Sequence, residues 1–292
     1  MTKRLLCHLV ERGHTVDAYV LDAKKPYVID GINVQPYSRF SPNQAKKYDL
    51  YISHPEIAFV LNHHTARHGI PYIGIVHNTT SNTMRGLSRL EPHITVANSY
   101  DTLTHLPRPT IRKRREIVYP PIAGIKPVTD PGAYVTAVNM SSAKGFSAVD
   151  YVAKKLPDVE FLAVHGGHGL QATSVPDNVT VIKPTPDINP VCQDTSVFLH
   201  PSLMESYGMT LAEMTVAGIP SVIRRLPVTH EVMGTTGLYP QNKAEWVSTV
   251  RALMTDQSFY DDARHAAQER GKYLVEQTQV SFDQWVRLVE TI

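Results

Sequence analysis

Apolar residues recur along this chain in two periods. Leu5, Leu6, Leu9 and Val10 lie at helical spacing, and Gly13 ends the run. Residues 15–20, 32–37 and 50–54 then read as short strands, and a helix is expected over 55–67. Two more strands follow at 71–76, ending before His77, and at 93–97, ending before Asn98-Ser99. Strands alternating with helices predict a mostly parallel sheet covered on both faces. Residues 120–132 break the alternation with Pro120-Pro121, Gly124, Pro127 and Pro131-Gly132, and a domain boundary is placed there. The alternation restarts with a strand at 133–138 and a helix marked by Ala148, Val149, Val152, Ala153 and Leu156. Strands at 159–164, 179–182 and 197–199 come next, then helices at 245–254 and 258–275. Ser281 reads as the cap of a last helix whose Phe282, Trp285, Val286 and Val289 form one apolar stripe.

Composition narrows the picture little further. The 292 residues are 42% hydrophobic and 19% charged, which suits two globular domains. A net charge of +2 is too weak to argue for nucleic acid. Cys7 and Cys192 stand far apart and suggest no disulfide framework, which points to a reducing, cytoplasmic setting. No apolar run approaches the roughly 18 residues that span a bilayer, and no signal peptide is visible at Met1.

The segment richest in chemistry follows the strand at 197–199. His200-Pro201-Ser202 leaves that strand, and Glu205, Tyr207-Gly208, Met209, Thr210 and Glu213 lead into Gly218-Ile219-Pro220. The order is strand, loop, acid, glycine, helix with a second acid, stop. A helix start leaves about four N–H groups without partners and carries partial positive charge, so it holds phosphate. Gly208 lets an anion approach the backbone closely. An ionised carboxylate accepts several hydrogen bonds, enough for two hydroxyls of a sugar. Taken alone, two glutamates eight apart also fit an ordinary amphipathic helix with solvated acids.

The full string resembles the Glu-x7-Glu signature of the family 4 retaining glycosyltransferases, glycosyl transferases group 1, of the GT-B fold. The resemblance implies an α/β protein of two Rossmann-like domains: an acceptor-side domain at 1–125, a nucleotide-sugar-binding domain at 126–275, and a helix at 276–292 that crosses back to the first domain. It implies transfer of a sugar from a nucleotide-diphosphate sugar, with retention, without a metal and with no cofactor beyond the donor. Glu205 would bind the sugar hydroxyls and steady developing charge, and Glu213 would hold the ribose. Lys144, in Asn139-Met140-Ser141-Ser142-Ala143-Lys144-Gly145, would face the diphosphate with the amides of Tyr207, Gly208, Met209 and Thr210. Gly166-Gly167 would stand beside the nucleotide, Pro184-Thr185 would contact the base through the backbone, and His77 would lie near the transferred sugar. Glu231 falls where the family has an acid, although Arg225-Leu226 replaces the usual small residues before it.

Two departures qualify the resemblance. The family usually has arginine where Asn139 stands, and Arg224 or Arg225 are the candidate replacements. At the other end, Arg12-Gly13-His14 matches the family, but the strand and glycine-rich loop that precede this helix in the family have no counterpart after Met1. Either Met1 is an internal methionine of a longer protein or the first domain is rearranged. These departures keep open a non-catalytic sugar-nucleotide-binding module or decayed paralogue; a sugar-nucleotide epimerase of the same fold is a second alternative. The acceptor (protein, glycan, lipid or nucleic acid) and the oligomeric state are not legible. Arg108, Arg112, Lys113, Arg114 and Arg115 form the one basic cluster, read as a solvated loop or helix end, with a peripheral contact through Arg112–Arg115 as the alternative. There is no Asp-x-Asp, and His and Cys do not fall at ligand spacing, so no metal site is expected.

Overall fold

A computed structural model describes the chain except residues 42, 43, 45, 58–67, 90, 91, 108–113 and 168, and describes residue 89 by its backbone only. It divides into two compact units: Met1–Pro121 with Gln277–Ile292, and Ile122–Glu276. The breaks thus fall at 121/122 and 276/277, where the sequence reading has them at 125/126 and 275/276.

The first unit opens with helix α1 (Thr2–Glu11), followed by β1 (Asp17–Val20), β2 (Tyr27–Ile29) and β3 (Ile32–Pro36). β1 pairs in parallel with β3, and β2 pairs with β3 as a hairpin. A second sheet holds β4 (Tyr51–Ser53), β5 (Tyr72–Val76), β6 (Ile94–Ala97) and β7 (Arg114–Ile117), all parallel. The parallel strands are therefore divided between two sheets, with β1 at one border and β4 at another. Helices α2 (Ser81–Arg89) and α3 (Tyr100–Thr104) lie between β5 and β7 in the chain. Ser99 caps α3 by accepting from the Thr102 amide at 2.9 Å. Leu5 and Leu9 of α1 are buried with Ile73, Ile75, Ile94 and Val96 of the sheet and with Trp285. The indole of Trp285 donates to the Leu5 carbonyl at 3.1 Å, which satisfies its one polar atom inside the core.

The second unit carries one parallel sheet of β8 (Tyr134–Val138), β9 (Phe161–Val164), β10 (Val179–Ile182), β11 (Thr195–His200) and β12 (Ser221–Ile223). Their order is β10-β9-β8-β11-β12. The chain thus builds outward from β8 on one side, then crosses to build β11 and β12 on the other. β9 and β11 are buried along their whole length, as parallel strands covered on both faces must be. Helices α4 (Phe146–Lys155), α5 (Asn189–Asp194), α6 (Met209–Val216), α7 (Pro227–Met233) and α8 (Lys243–Thr255) connect and cover them. α4 turns Phe146, Val149, Val152 and Ala153 inward, and α8 adds Trp246, Val250 and Leu253 to the same core. Asn242 caps α8 by accepting from the Glu245 amide at 3.0 Å.

Two expectations are corrected. α9 (Gln257–Glu290) is one continuous helix of 34 residues, so Ser281 is an interior residue and not a cap. Glu276-Gln277-Thr278-Gln279-Val280 contains no glycine or proline to stop it, and Ser281 is buried. Arg114 and Arg115 lie on strand β7, not in a loop or helix end. Arg114 pairs with Glu116 at 2.6 Å, and Arg115 donates to the Pro107 carbonyl. Arg108, Arg112 and Lys113 lie outside the described residues, as does most of the helix expected at 55–67, of which Pro55–Ile57 is a 3-10 turn. Among the described residues no helix is long and apolar enough to cross a membrane.

Candidate functional site

Sheet order locates the site in the second unit. Where a parallel sheet reverses its building direction, the loops after the two neighbouring strands diverge to opposite faces and leave a crevice at the strands' carboxyl ends. That reversal lies between β8 and β11. The loop after β8 carries Asn139 to Gly145, and the loop after β11 carries Pro201 to Gly208.

The two loops are locked together. The Leu203 amide donates to the Ala143 carbonyl at 3.0 Å. Gly145 has φ +73°, and a Cβ there would run into the Pro201 carbonyl, so only glycine permits this approach. Arg224, just past β12, donates from Nε to the same Pro201 carbonyl at 3.0 Å. Arg225 instead stacks its guanidinium over the Tyr239 ring at 5.3 Å.

Lys144 and Glu205, 61 positions apart, meet as a result. Nζ of Lys144 donates to Oε1 of Glu205 at 2.5 Å. His200, the last residue of β11, turns Nε2 toward the same oxygen at 3.3 Å. The Glu205 and His200 side chains are each only 8% exposed, and Lys144 is 32% exposed. Burial opposes ionisation of Glu205, but the neighbouring His200 imidazole and the Lys144 ammonium outweigh it, and the carboxyl is held at about 2. It is a carboxylate at neutral pH.

Helix α6 starts at the end of the second loop. Gly208 takes φ +90° as its N-cap, and no side chain caps the helix. Its first amides therefore face the loop with their partial positive charge. Tyr207 is buried, so its main chain and not its hydroxyl belongs to this rim. Met209 and Thr210 form the partly exposed first turn, and Glu213 sits a turn further along.

The remaining candidates of this unit stand along the same edge of the sheet. Asn139 follows β8 in a left-handed conformation, φ 70°. Its Oδ1 accepts from the Ser141 amide at 3.1 Å and from Nε2 of Gln171 at 3.2 Å. Oε1 of Gln171 accepts in turn from the amides of Met140 and Gly166, both at 2.8 Å. Asn139 thus braces its own loop, and Gly166 must lack a side chain because a Cβ would strike the Asn139 amide. Gly167 has open space on its Cβ side. Pro184 and Thr185 follow β10 and are exposed, with Thr185 closing a turn onto Asp187. Glu231 lies on α7, where its backbone carbonyl accepts from Arg270 at 2.8 Å.

His77 belongs to the first unit, at the end of β5. Its ring lies 4.1 Å from that of His54, which follows β4. Around them Glu56 accepts from Thr80 and Thr83, both at 2.9 Å. Burial, then the neighbouring His77, push the His54 imidazolium down to about 4, with Glu56 opposing. The sequence reading named His200 only as part of the string around Glu205 and gave no role to it, to His54 or to Gln171. His54 and His200 end strands, which was the available signal; Gln171 had none.

Comparison with known proteins places this architecture. Residues 143–256 match the family described as glycosyl transferases group 1. No curated protein matches the chain. Among solved structures it is similar to the sucrose-phosphate synthase of Thermosynechococcus elongatus, at TM-score 0.79 and 12% identity over 99% of this chain and 92% of that one. It is also similar to Anabaena HepE in complex with UDP-glucose, at TM-score 0.75 and 16% identity over 90% of this chain and 87% of that one. A glycosyltransferase from Rickettsia africae gives TM-score 0.73 and 13% identity over 100% and 94%. The chain thus has the fold of the GT-B glycosyltransferases, and its residues 143–256 are similar to the glycosyl transferases group 1.

Proposed function

We propose that this protein transfers a sugar from a nucleotide-diphosphate sugar to an acceptor, with retention and without a metal. One observation carries the reading: a lysine and a buried carboxylate from the loops after β8 and β11 meet beside the uncapped start of α6. That set matches a glycosyl diphosphate in charge. Lys144 and the α6 amides neutralise the diphosphate and stabilise it as it leaves, which is the work a metal performs elsewhere. Glu205, ionised and acceptor-only, takes sugar hydroxyls and steadies positive charge developing on the sugar. Glu213 takes the ribose, and Gly166, Gly167, Pro184 and Thr185 line the nucleotide side. His77 keeps a role toward the transferred sugar as part of the same proposal. HepE, similar in fold, is known in complex with UDP-glucose, which makes uridine diphosphate sugars the first donors to try.

The second reading is a binding module without turnover. It is favoured by the commitment of the neutral Asn139 to its own loop, which leaves Lys144 as that loop's cation. A panel of nucleotide sugars, scored for thermal stabilisation and for nucleoside diphosphate release, separates the two. Release that Glu205→Ala slows and Glu213→Ala reduces through weaker donor binding supports the transferase. Stabilisation without release across many acceptors supports the module. Neither stabilisation nor release with any donor overturns both.

A further inference from the structure

The proposed function, on which this inference rests, assigns nothing to His200. The geometry shows a conflict that His200 resolves. Lys144 is required at the diphosphate, yet its ammonium sits on Oε1 of Glu205 at 2.5 Å. When Lys144 turns to the phosphate, a carboxylate only 8% exposed loses its closest cation. An unpaired buried charge is costly, and a carboxyl in that position either protonates or swings away. His200 stays behind. It is the terminal residue of a fully buried strand, and its carbonyl accepts from the Arg224 amide at 3.0 Å. Its ring lies 5.7 Å from the Phe198 ring, and its Nε2 lies close to Gly208. Its Nε2 is buried, makes no hydrogen bond of good geometry and lies 3.3 Å from Oε1 of Glu205.

We propose that His200 is a positioning residue: with its proton on Nε2, it holds the Glu205 carboxylate ionised and in place while Lys144 turns to the donor diphosphate. The charged groups around it are Lys144 after β8, Glu205 after β11 and Arg224 after β12, whose guanidinium is tied to Pro201. The start of α6 presents Gly208, which carries no charge. Two donors on one oxygen are redundant at rest; they are what the site needs once Lys144 leaves.

Titration of the Glu205 carboxyl by carbon-13 resonance tests this without any donor. Lys144→Met mimics the lysine turned away. In that variant the carboxyl titrates below its ordinary 4.5. Adding His200→Phe raises the midpoint by about two pH units, because burial alone then acts on it. Adding His200→Gln, which restores an amide donor, recovers at least half of the shift. Equal midpoints in Lys144→Met with and without His200→Phe overturn the proposal, as does Gln behaving like Phe. In turnover, His200→Phe alone lowers kcat about tenfold and leaves the donor KM within about twofold; an unchanged kcat overturns the role. Absence of nucleotide release from the wild type sinks the proposed function instead, while the titration still reads the hold of His200 on Glu205.

Discussion

Glu205→Gln removes a charge and keeps a shape, so it isolates what the buried carboxylate contributes to stability. The folded carboxyl is held at about 2 against an ordinary 4.5. Because the folded value lies below the unfolded one, the contribution is fully present above about 4.5 and is lost as pH falls toward 2. The difference, 4.5 − 2, is 2.5 pH units, or about 3 kcal/mol at about 1.4 kcal/mol per unit. Solvent screening discounts this little, since the side chain is 8% exposed. Linkage then gives a loss of about 0.8 kcal/mol between pH 7 and pH 4, and of about 2 kcal/mol by pH 3. The glutamine variant lacks this component, so the stability difference between the two proteins changes by those amounts. The chain has two tryptophans, Trp246 in the second unit and Trp285 in the first, so fluorine resonances of 5-fluorotryptophan report each unit separately during urea unfolding. The Trp246 signal shows the pH-dependent difference and the Trp285 signal does not. A Trp246 difference that stays constant from pH 7 to pH 3 refutes the account of Glu205 as a strongly held carboxylate.

Two further outcomes follow from the same structure. Gly145→Ala destabilises the second unit by about 2 kcal/mol or more, through left-handed strain of about 1 kcal/mol plus the collision with Pro201, and it weakens donor binding by moving Lys144; a Trp246 transition unchanged in urea contradicts it. Cys192 is fully buried and its thiol is pushed up to about 12 by burial and then by the charges of Glu213 and Asp187, so a thiol-specific disulfide reagent labels the partly exposed Cys7 first. Equal labelling rates in the native protein contradict that.

Much of the second unit was legible because its signals are local. The apolar runs around β8, β9, β10 and β11 are short, β-rich and bounded by turns, and each appears as a strand within a residue or two of its expected place. The start of α6 was legible for the same reason, since acid, glycine and helix follow one another in the chain. One strong local signal was missed. Asp30-Gly31 between Tyr27-Val28-Ile29 and Ile32-Asn33-Val34 marks a two-residue hairpin, and both turn residues have positive φ, at 49° and 75°.

The chemistry of the site was legible in its members and not in their joining. Lys144 and Glu205 were each named for a different part of the donor, and no spacing rule says that two residues 61 positions apart share a hydrogen bond. Their meeting depends on the sheet order, which puts β11 beside β8 although two strands intervene in the chain. His200 shows the limit more sharply. As the end of a buried strand it reads as core, and core is what its 8% exposure makes it. Only the loop returning over it brings a carboxylate to its Nε2. A residue that ends a buried strand can therefore stand against a candidate site residue, because the strand that buries the imidazole also brings its Nε2 within 3.3 Å of the Glu205 oxygen.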